Sequence, residues 1–301
     1  MDSQRRFAPS FSPLQAGEGG FLLEALLTVR RSDLWFAGVF LSFLFLYAGF
    51  ILTLVIADAL LPFRPIEEGG ASAVALLWQE EESRKSLFNA FRLSLVTSLI
   101  TACLGLLVGL PAAYGLSRYR FPLYSLIDTL VDIPIVVPPL IMGLTLLAVL
   151  RQTAIGTALD EKVGILYSPK GIVLAQFSVA SAFSVRALKA AFDQVNPRFE
   201  QVARSLGASP FYAFFRVTLP LAKTGILAGF VMTWARAMGE FAPILVVAGT
   251  NPDTTVLPVL AFLSMSAGNI EIAFAVIIFM VIIASLALLV FKKLGGQGYI
   301  W

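Results

Sequence analysis

Six long apolar runs decide what this chain can fold into. Each has about 20 residues, the length at which a helix crosses the hydrocarbon core of a bilayer. The 301 residues have a mean hydropathy of +0.84 and only 14% are charged, which is too apolar for an ordinary soluble globule. We therefore predict an all-α integral membrane protein with six transmembrane helices. The predicted spans are residues 35–57, 94–116, 130–150, 171–191, 225–247 and 272–291.

The distribution of basic residues predicts the orientation of these spans. If the amino terminus is cytoplasmic, the loops on that side carry about twice as many Lys and Arg residues as the outer loops, which is the usual bias. Arg186 and Lys189, at the end of the fourth run, are counted with the cytoplasmic residues. Six spans then place both termini in the cytoplasm. We predict a single six-span domain over residues 35–301, preceded by a cytoplasmic segment, residues 1–34, with an interfacial helix at 21–29.

Shorter patterns add detail to this frame. Residues 71–92, which carry the glutamate run 80–82, are predicted as a surface helix on the outer side. Residues 254–267 are predicted as a re-entrant or interfacial helix on the same side, because their apolar run is too short to span. Two pairs of glycines four residues apart predict close contacts between helices. These pairs are Gly105 with Gly109 and Gly225 with Gly229.

The composition excludes several kinds of active site. The chain has no histidine and one cysteine, so imidazole chemistry, disulfide pairs and the usual zinc or haem sites lack their ligands. No G-x-x-x-x-G-K-[ST] phosphate loop occurs, so a separate subunit would have to bind ATP. We predict a transporter subunit rather than an enzyme, with no cofactor or metal of its own. The net charge of +3 fits basic cytoplasmic loops and not a nucleic-acid surface.

The cytoplasmic loop at residues 192–223 carries the most specific pattern. It predicts two short helices joined by a tight turn, because Gly207 suits a left-handed helix stop, Ser209 can cap the next helix and Pro210 fits its first position. The second helix, beginning with Phe211, is rich in aromatic residues. An aromatic patch on the cytoplasmic side predicts docking into the groove of a partner protein.

The sequence of this loop resembles the EAA loop of bacterial and archaeal ABC importer permeases, whose pattern is EAA, three residues, Gly, nine residues, then Ile-x-Leu-Pro. Gln201 stands where that pattern has its glutamate, Glu200 lies one place earlier, and Val217 replaces the isoleucine. The glycine, the Leu-Pro pair and the spacing match. The corresponding residues are Glu200-Gln201-Val202-Ala203-Arg204-Ser205-Leu206-Gly207 and Val217-Thr218-Leu219-Pro220.

The resemblance implies a MetI-like fold, shared by methionine, maltose and molybdate importers, in a multi-pass protein of the prokaryotic plasma (inner) membrane. It also implies partners: cytosolic ABC ATPase subunits that bind the ATP, an extracytoplasmic substrate-binding protein, and a second permease chain in a homodimer. The loop would be the coupling helix that docks on the ATPase. The residues assigned to coupling are Glu200, Gln201, Ala203, Gly207, Ala208, Ser209, Pro210, Phe211, Leu219 and Pro220.

The substrate is less constrained than the class of protein. The prolines of the third span and the run from Arg236 to Phe241 are most similar to the molybdate, tungstate and sulfate branch, whereas permeases for ferric iron, thiamine or amino acids share much of the pattern. A secondary transporter or channel is the rival from another class, and it would predict inverted repeats and no docking loop.

Charged residues and prolines within the spans mark a candidate translocation path. Arg236 and Glu240 lie four apart in the fifth run, so they either form an ion pair that holds helices together or line the path, where Arg236 would attract an oxyanion. Prolines break the third run, and Asp132 either caps the resumed helix or lies at a gate. The candidate path or gate residues are Asp132, Pro138, Pro139, Thr233, Arg236 and Glu240.

Overall fold

The structure is a computed structural model that describes residues 31–60 and 81–295, with residues 63, 72 and 75 between them. The interfacial helix predicted at 21–29 lies outside the described residues. The chain divides into two compact units, Met1–Ala57 and Asp58–Trp301.

Helix α1, Arg31–Leu60, belongs mainly to the first unit. Its stretch Phe36–Asp58 has a mean hydropathy of 2.6, and its side chains from Phe36 to Ala57 are exposed around the whole helix. An apolar helix with no polar face suits lipid contact, because lipid solvates apolar side chains in every direction. The first predicted span is therefore confirmed as a helix long enough to cross a membrane.

The second unit is a set of helices of very different lengths. Three of them, α2, α6 and α12, are long enough to cross the bilayer without a break. In chain order the helices are α2 Glu81–Arg118, α3 Tyr124–Val136, α4 Pro139–Gln152, α5 Ala154–Val163, α6 Pro169–Asp193, α7 Arg198–Ser205, α8 Pro210–Leu221, α9 Lys223–Met238, α10 Ala242–Ala248, α11 Leu257–Ser266 and α12 Ile270–Gly295.

The remaining spans are bent helix pairs. The chain bends by 109° between α3 and α4, and by 74° between α8 and α9. The described residues thus contain four single helices that can span a membrane, or up to six spans if each bent pair counts as one. Proline explains the first bend, since Pro138 and Pro139 cannot donate the amide hydrogens that would continue α3 into α4.

Two predicted boundaries are wrong, and one predicted break is confirmed. The surface helix at 71–92 is not separate, because residues 81–92 form the first turns of α2. The third span is broken at its prolines, as predicted, by the bend between α3 and α4. The fifth span, predicted at 225–247, ends as α9 at Met238, and a break separates it from α10. The helix predicted at 254–267 is confirmed as α11.

The core of the second unit lies where α2, α6 and α9 pack together. A Cβ added to Gly105 would lie 2.9 Å from Cγ2 of Thr233, and one added to Gly225 would lie 2.4 Å from Cβ of Ala191. Side chains at these positions would force the helices apart, so the predicted close contacts at the glycines are confirmed.

A buried polar network joins the same three helices. Gln176 of α6 is 1% exposed, accepts a hydrogen bond from Thr101 of α2 at 2.9 Å and donates one to the Ala237 carbonyl of α9 at 3.0 Å. Lipid offers no competing hydrogen-bond partner for a polar side chain. Hydrogen bonds between the helices therefore fix their register.

Candidate coupling loop and translocation path

The turn at Gly207 has the geometry that the sequence predicts. Gly207 has a φ of +91° and follows α7, whose last carbonyls accept hydrogen bonds from the turn. The Gly207 amide donates to the Arg204 carbonyl at 3.0 Å, and the Ala208 amide donates to the Ala203 carbonyl at 3.1 Å. This pair of bonds is a Schellman motif, which requires a left-handed residue at its glycine position. The turn therefore fixes the angle between α7 and α8.

Helix α8 begins as predicted. The Ser209 hydroxyl accepts a hydrogen bond from the Tyr212 amide at 3.2 Å, and Pro210 occupies the first helical position. The helix contains a π-helical segment, Phe214–Thr218, and continues past Pro220 to Leu221. A π-helical turn widens the helix locally and is often found at functional sites.

The aromatic residues of α8 divide into an outer and an inner set. Phe211 is 72% exposed and Tyr212 is 56% exposed, so neither ring is packed in the core of this chain. Phe214 packs inward against Tyr114 of α2, with ring centroids 4.7 Å apart. The outer set is the exposed aromatic patch that the sequence predicts for docking.

An open apolar cavity of about 780 Å³ lies between α2 and α8. Phe211 and Phe215 form one wall, and Leu107, Pro111 and Tyr114 form the other. The cavity thus lies beside Phe211, between the exposed aromatic patch and α2.

Glu200 of α7 links the coupling loop to α2 through hydrogen bonds with Arg118 and Tyr114. We call this set of contacts the joint. The Glu200 carboxylate accepts a hydrogen bond from Arg118 Nε at 2.8 Å and another from the Tyr114 hydroxyl at 2.8 Å. The side chains of Arg118 and Glu200 are 8% and 11% exposed. Arg118 also donates to the Val195 carbonyl at 2.9 Å, which adds the segment that follows α6 to the joint. Glu200 is thus turned inward and leaves Gln201 on the exposed surface of α7.

The joint lowers the pKa of Glu200. Burial alone raises the pKa of a carboxyl group, but here the hydrogen bonds from Arg118 and Tyr114 and the charge of Arg118 outweigh it, so the pKa lies below its usual range. Glu200 is therefore ionised at neutral pH, and its negative charge balances the buried guanidinium of Arg118.

The other coupling residues surround this joint. Gln201, Ser209, Pro210, Phe211 and Pro220 are exposed. Ala203, Ala208 and Leu219 are half-buried. The predicted set is therefore brought together on one loop, with an exposed surface and a buried anchor.

Asp132 does not cap the helix that follows the break. The residue preceding α4 is Pro138, which gives no side-chain hydrogen bond, and Asp132 lies six residues earlier, within α3. Arg186 of α6 donates to Asp132 through Nε at 2.5 Å and through Nη2 at 2.7 Å, and to the Asp128 carboxylate through Nη1 at 2.5 Å. Its Nη2 also donates to the Asp128 backbone carbonyl at 2.6 Å. The capping prediction is wrong because a cation is available on the neighbouring helix.

Arg236 and Glu240 form an ion pair at the carboxyl-terminal end of α9. Arg236 Nη1 donates to Glu240 Oε2, and the Glu240 side chain is only 3% exposed whereas that of Arg236 is 29% exposed. The guanidinium of Arg236 lies 5.6 Å from the centre of the Phe183 ring. Thr233 is fully buried between α9 and α2 and donates to the Gly229 carbonyl, so its position is one of helix packing.

Sequence reasoning missed four polar residues of these sites: Tyr114, Arg118, Asp128 and Arg186. Arg186 was counted as cytoplasmic, but it lies within α6, Pro169–Asp193. A signal for it existed, because two aspartates four residues apart in an apolar run share one helix face and require a cation opposite them. No comparable signal points to the pair of Arg118 with Glu200, whose residues are far apart in sequence.

Comparison with protein families gives one matching model. Residues 105–296 match the family described as binding-protein-dependent transport system inner membrane component. The matched region begins inside α2 and includes the coupling loop, the Arg186 pairs and the Arg236 pair.

Curated relatives include transporters of oxyanions. The chain is 38% identical, over 81% of its length, to a probable molybdenum ABC transporter permease of Haloferax volcanii, of which the match covers 90%. It is 41% identical to a molybdate/tungstate transport system permease of Thermococcus kodakarensis over 54% of this chain and 61% of that one. A probable sulfate transport system permease of Nephroselmis olivacea is 36% identical over 58% of this chain and 62% of the relative.

Solved structures of ABC importers share the fold. A chain of the MetNI methionine ABC transporter aligns with a TM-score of 0.61 at 20% identity, covering 72% of this chain and 97% of that one. A chain of a bacterial alginate ABC transporter, in complex with a periplasmic protein that holds an alginate pentasaccharide, aligns with a TM-score of 0.69 at 17% identity, covering 89% and 96%.

Proposed function

The chain belongs to the family of binding-protein-dependent transport system inner membrane components, and on that premise we propose that it carries tetrahedral oxyanions such as molybdate, tungstate or sulfate. The chain is an all-helical, multi-pass membrane permease of the ABC importer class with a MetI-like fold. The identity of 38% over 81% of the chain to a probable molybdenum permease is the observation that carries the substrate class.

The proposed complex contains two copies of this chain, two cytosolic ATPase subunits and one extracytoplasmic binding protein. The periplasmic protein bound to the alginate transporter supports a partner of that last kind. ATP is bound by the ATPase subunits, and this chain supplies no cofactor. Closure and opening of the ATPases would rock the two permease chains as rigid bodies and so expose the path to each side in turn.

The proposed contact with the ATPase is made by the exposed coupling residues Gln201, Ser209, Pro210 and Phe211. Phe211 and Tyr212 enter a groove of the ATPase, while Gly207 sets the angle at which α8 is presented. The buried joint of Glu200 with Arg118 carries the movement of the loop to α2, because a hydrogen-bonded pair with low exposure transmits displacement better than a mobile surface contact.

The proposed path runs past the breaks in the helices. Irregular backbone at Pro138 and Pro139 is tolerated in a membrane where it faces protein or water. Arg236 is partly exposed, and its guanidinium offers planar donors that suit an oxyanion, while Glu240 keeps it oriented. Asp132 lies on α3, before the break at Pro138, and accepts a hydrogen bond from Arg186.

The substrate class can be tested by competition. The complex reconstituted in liposomes with its binding protein is expected to take up radioactive molybdate, and unlabelled tungstate or sulfate in excess is expected to reduce that uptake at least about tenfold if they share the site. Perchlorate, a tetrahedral anion with a single charge, serves as the matched control and should compete poorly. Uptake of ferric iron, thiamine or an amino acid with no effect of any oxyanion would refute the proposed substrate.

The orientation can be tested by thiol labelling in intact cells. Cysteines are introduced singly at Ser209 and Ser266, both exposed in the structure, in a background in which the exposed Cys103 is replaced by serine. With both termini in the cytoplasm, an impermeant maleimide is expected to label position 266 and to spare position 209 until the cells are permeabilised. The reverse pattern would contradict the proposed topology.

A further inference from the structure

Helix α3 is attached to the rest of the second unit by few constraints. It has no buried residue, and it packs along α6. Its amino-terminal end follows Leu123, a non-glycine residue with a φ of +67°, and its carboxyl-terminal end meets the 109° bend before α4. The chain therefore changes direction at both ends of α3, which makes α3 a separate segment that can shift as a unit.

The strongest attachment of α3 is one cluster of charges. The Arg186 cluster consists of Arg186 on α6 and of Asp128 and Asp132 on α3. The guanidinium makes four hydrogen bonds to α3, at 2.5, 2.5, 2.6 and 2.7 Å. Nε, Nη1 and Nη2 are therefore all engaged with α3, so that moving α3 away from α6 separates all of these contacts together.

The charged side chains of the cluster are only partly buried. The side chains of Arg186, Asp128 and Asp132 are 26%, 32% and 45% exposed, and Arg186 lies seven residues before the end of α6 at Asp193. Exposure of ionised groups to hydrocarbon costs about 2.5 kcal/mol or more each on insertion scales, so this face lies on the water-filled path or on the seam with the second copy.

The charge of this face depends on the position of α3. With α3 against α6, one guanidinium stands beside two carboxylates, and the face carries one net negative charge. The neighbouring ion pair of Lys189 with Asp193, at 2.9 Å, lies wholly within α6 and is neutral in either position. When α3 moves away, both carboxylates leave with it, and α6 presents the single positive charge of Arg186.

We propose that the Arg186 cluster is an electrostatic gate for the substrate, which repels anions while α3 is closed on α6 and attracts them through Arg186 when α3 opens. The substrate part of this inference rests on the proposed oxyanion function. A dianion entering the path would compete with Asp132 for the same guanidinium, because a carboxylate and an oxyanion use the same planar pair of donors. Arg186 would thus be a substrate-contacting residue that the motif of the family does not include.

The movement of α3 can be followed without any substrate. Val131 of α3 is partly buried and packs against a hydrophobic cluster formed by α2, α6 and the loop. A cysteine in its place, in a chain with Cys103 replaced by serine, should react slowly with a water-soluble maleimide in the nucleotide-free complex. We expect its labelling rate to change in the vanadate-trapped complex. Equal labelling in every state of the ATPase would overturn the gate.

Weakening the cluster should open it. Asp128→Asn and Asp132→Asn each remove one charge with little change in size, and each is expected to increase both the labelling rate at position 131 and the ATP-independent leak of sulfate from loaded liposomes by about tenfold. The matched control is Glu81→Gln, which removes a carboxylate from an exposed ion pair with Lys85 at the start of α2 and should change neither. Wild-type values in both aspartate variants would overturn the proposal.

Exchanging the charges of Arg186 and Asp132 tests whether the cluster is a gate or only a structural ion pair. In Arg186→Asp with Asp132→Arg, the pair can form again, so position 131 should be protected as in the parent, but opening then leaves a carboxylate on α6. We expect Arg186→Asp alone to abolish oxyanion uptake and the double variant to fail to restore it. Recovery of uptake together with protection would show a structural pair, and failure to protect position 131 would show that the pair does not hold α3. If α3 moves in the parent but no oxyanion is carried, the proposed substrate fails and the movement of α3 stands.

Discussion

Replacement of Gly207 by valine is expected to abolish substrate uptake while the permease still inserts and forms the proposed dimer. Gly207 has a φ of +91°, and no neighbouring atom would contact an added Cβ, so the cost arises from the backbone alone. A non-glycine residue in such a conformation costs about 1–3 kcal/mol, and a β-branched residue is the least tolerated. The chain would relieve this strain by leaving the left-handed region, which breaks the Schellman bonds and turns α8 away from the ATPase.

A second variant removes the docking side chain and keeps the turn. Phe211 is 72% exposed, and its loss leaves the described packing of the second unit almost unchanged. If the ring is buried at the ATPase interface, Phe211→Ala costs about 2 kcal/mol or more of binding, which is typical of an aromatic hot spot. We expect the ATPase to be lost on purification, or to hydrolyse ATP without stimulation by loaded binding protein.

The measurement is substrate-stimulated ATP hydrolysis and uptake by the purified complex, with size-exclusion chromatography as the test of insertion and dimer formation. Arg204→Ala is the matched control, because Arg204 is exposed on α7 beside the turn and should change both activities little. Gly207→Ala should lie between the parent and the valine variant. Normal stimulation and uptake in both Gly207→Val and Phe211→Ala would mean that this loop does not couple the two subunits.

Replacement of Glu200 by alanine should be the most destabilising single change in the loop. It leaves the guanidinium of Arg118, whose side chain is 8% exposed, without its carboxylate and leaves the Tyr114 hydroxyl without its acceptor. Removing one partner of a buried pair costs about 3–5 kcal/mol. Thermal unfolding in detergent should show the loss directly. Exposed Glu161 of α5 provides the control, and Glu161→Gln should leave the unfolding temperature close to that of the parent.

The same joint predicts a dependence of stability on pH. The pKa of Glu200 is lowered in the folded chain, so the folded state favours its ionised form, and the pair stabilises the chain above the pKa of the unfolded state, about 4.3. That stabilisation is lost as the pH falls through the lowered pKa of the folded state. The difference in stability between the parent and Glu200→Gln should therefore be constant near neutral pH and shrink below about pH 4. A constant difference down to pH 3 would show that the charge of Glu200 does not matter.

The sequence predicts well those features that depend on neighbouring residues. Gly207, Ser209 and Pro210 form a turn and a cap whose chemistry is local, and the structure has both. The glycine pairs in α2 and α9 predict close packing, because a residue without a side chain lets any neighbouring helix approach closely.

Prediction fails where a residue's partner comes from another helix. Asp132 looks like a cap if only its own segment is considered, but the fold places Arg186 beside it. Glu200 resembles a displaced surface glutamate of the loop motif, whereas Arg118 and Tyr114 turn it inward.

The most direct test of the central claim is ATP-driven uptake by sealed liposomes that contain this chain and its ATPase, with ATP inside and molybdate-loaded binding protein outside. The account predicts that radioactive molybdate accumulates in these liposomes. It predicts no accumulation when the ATP, the ATPase or the binding protein is left out, or when Gly207→Val replaces the parent chain. Uptake by this chain alone, driven by an ion gradient and unaffected by ATP, would contradict the assignment as the permease of an ABC importer.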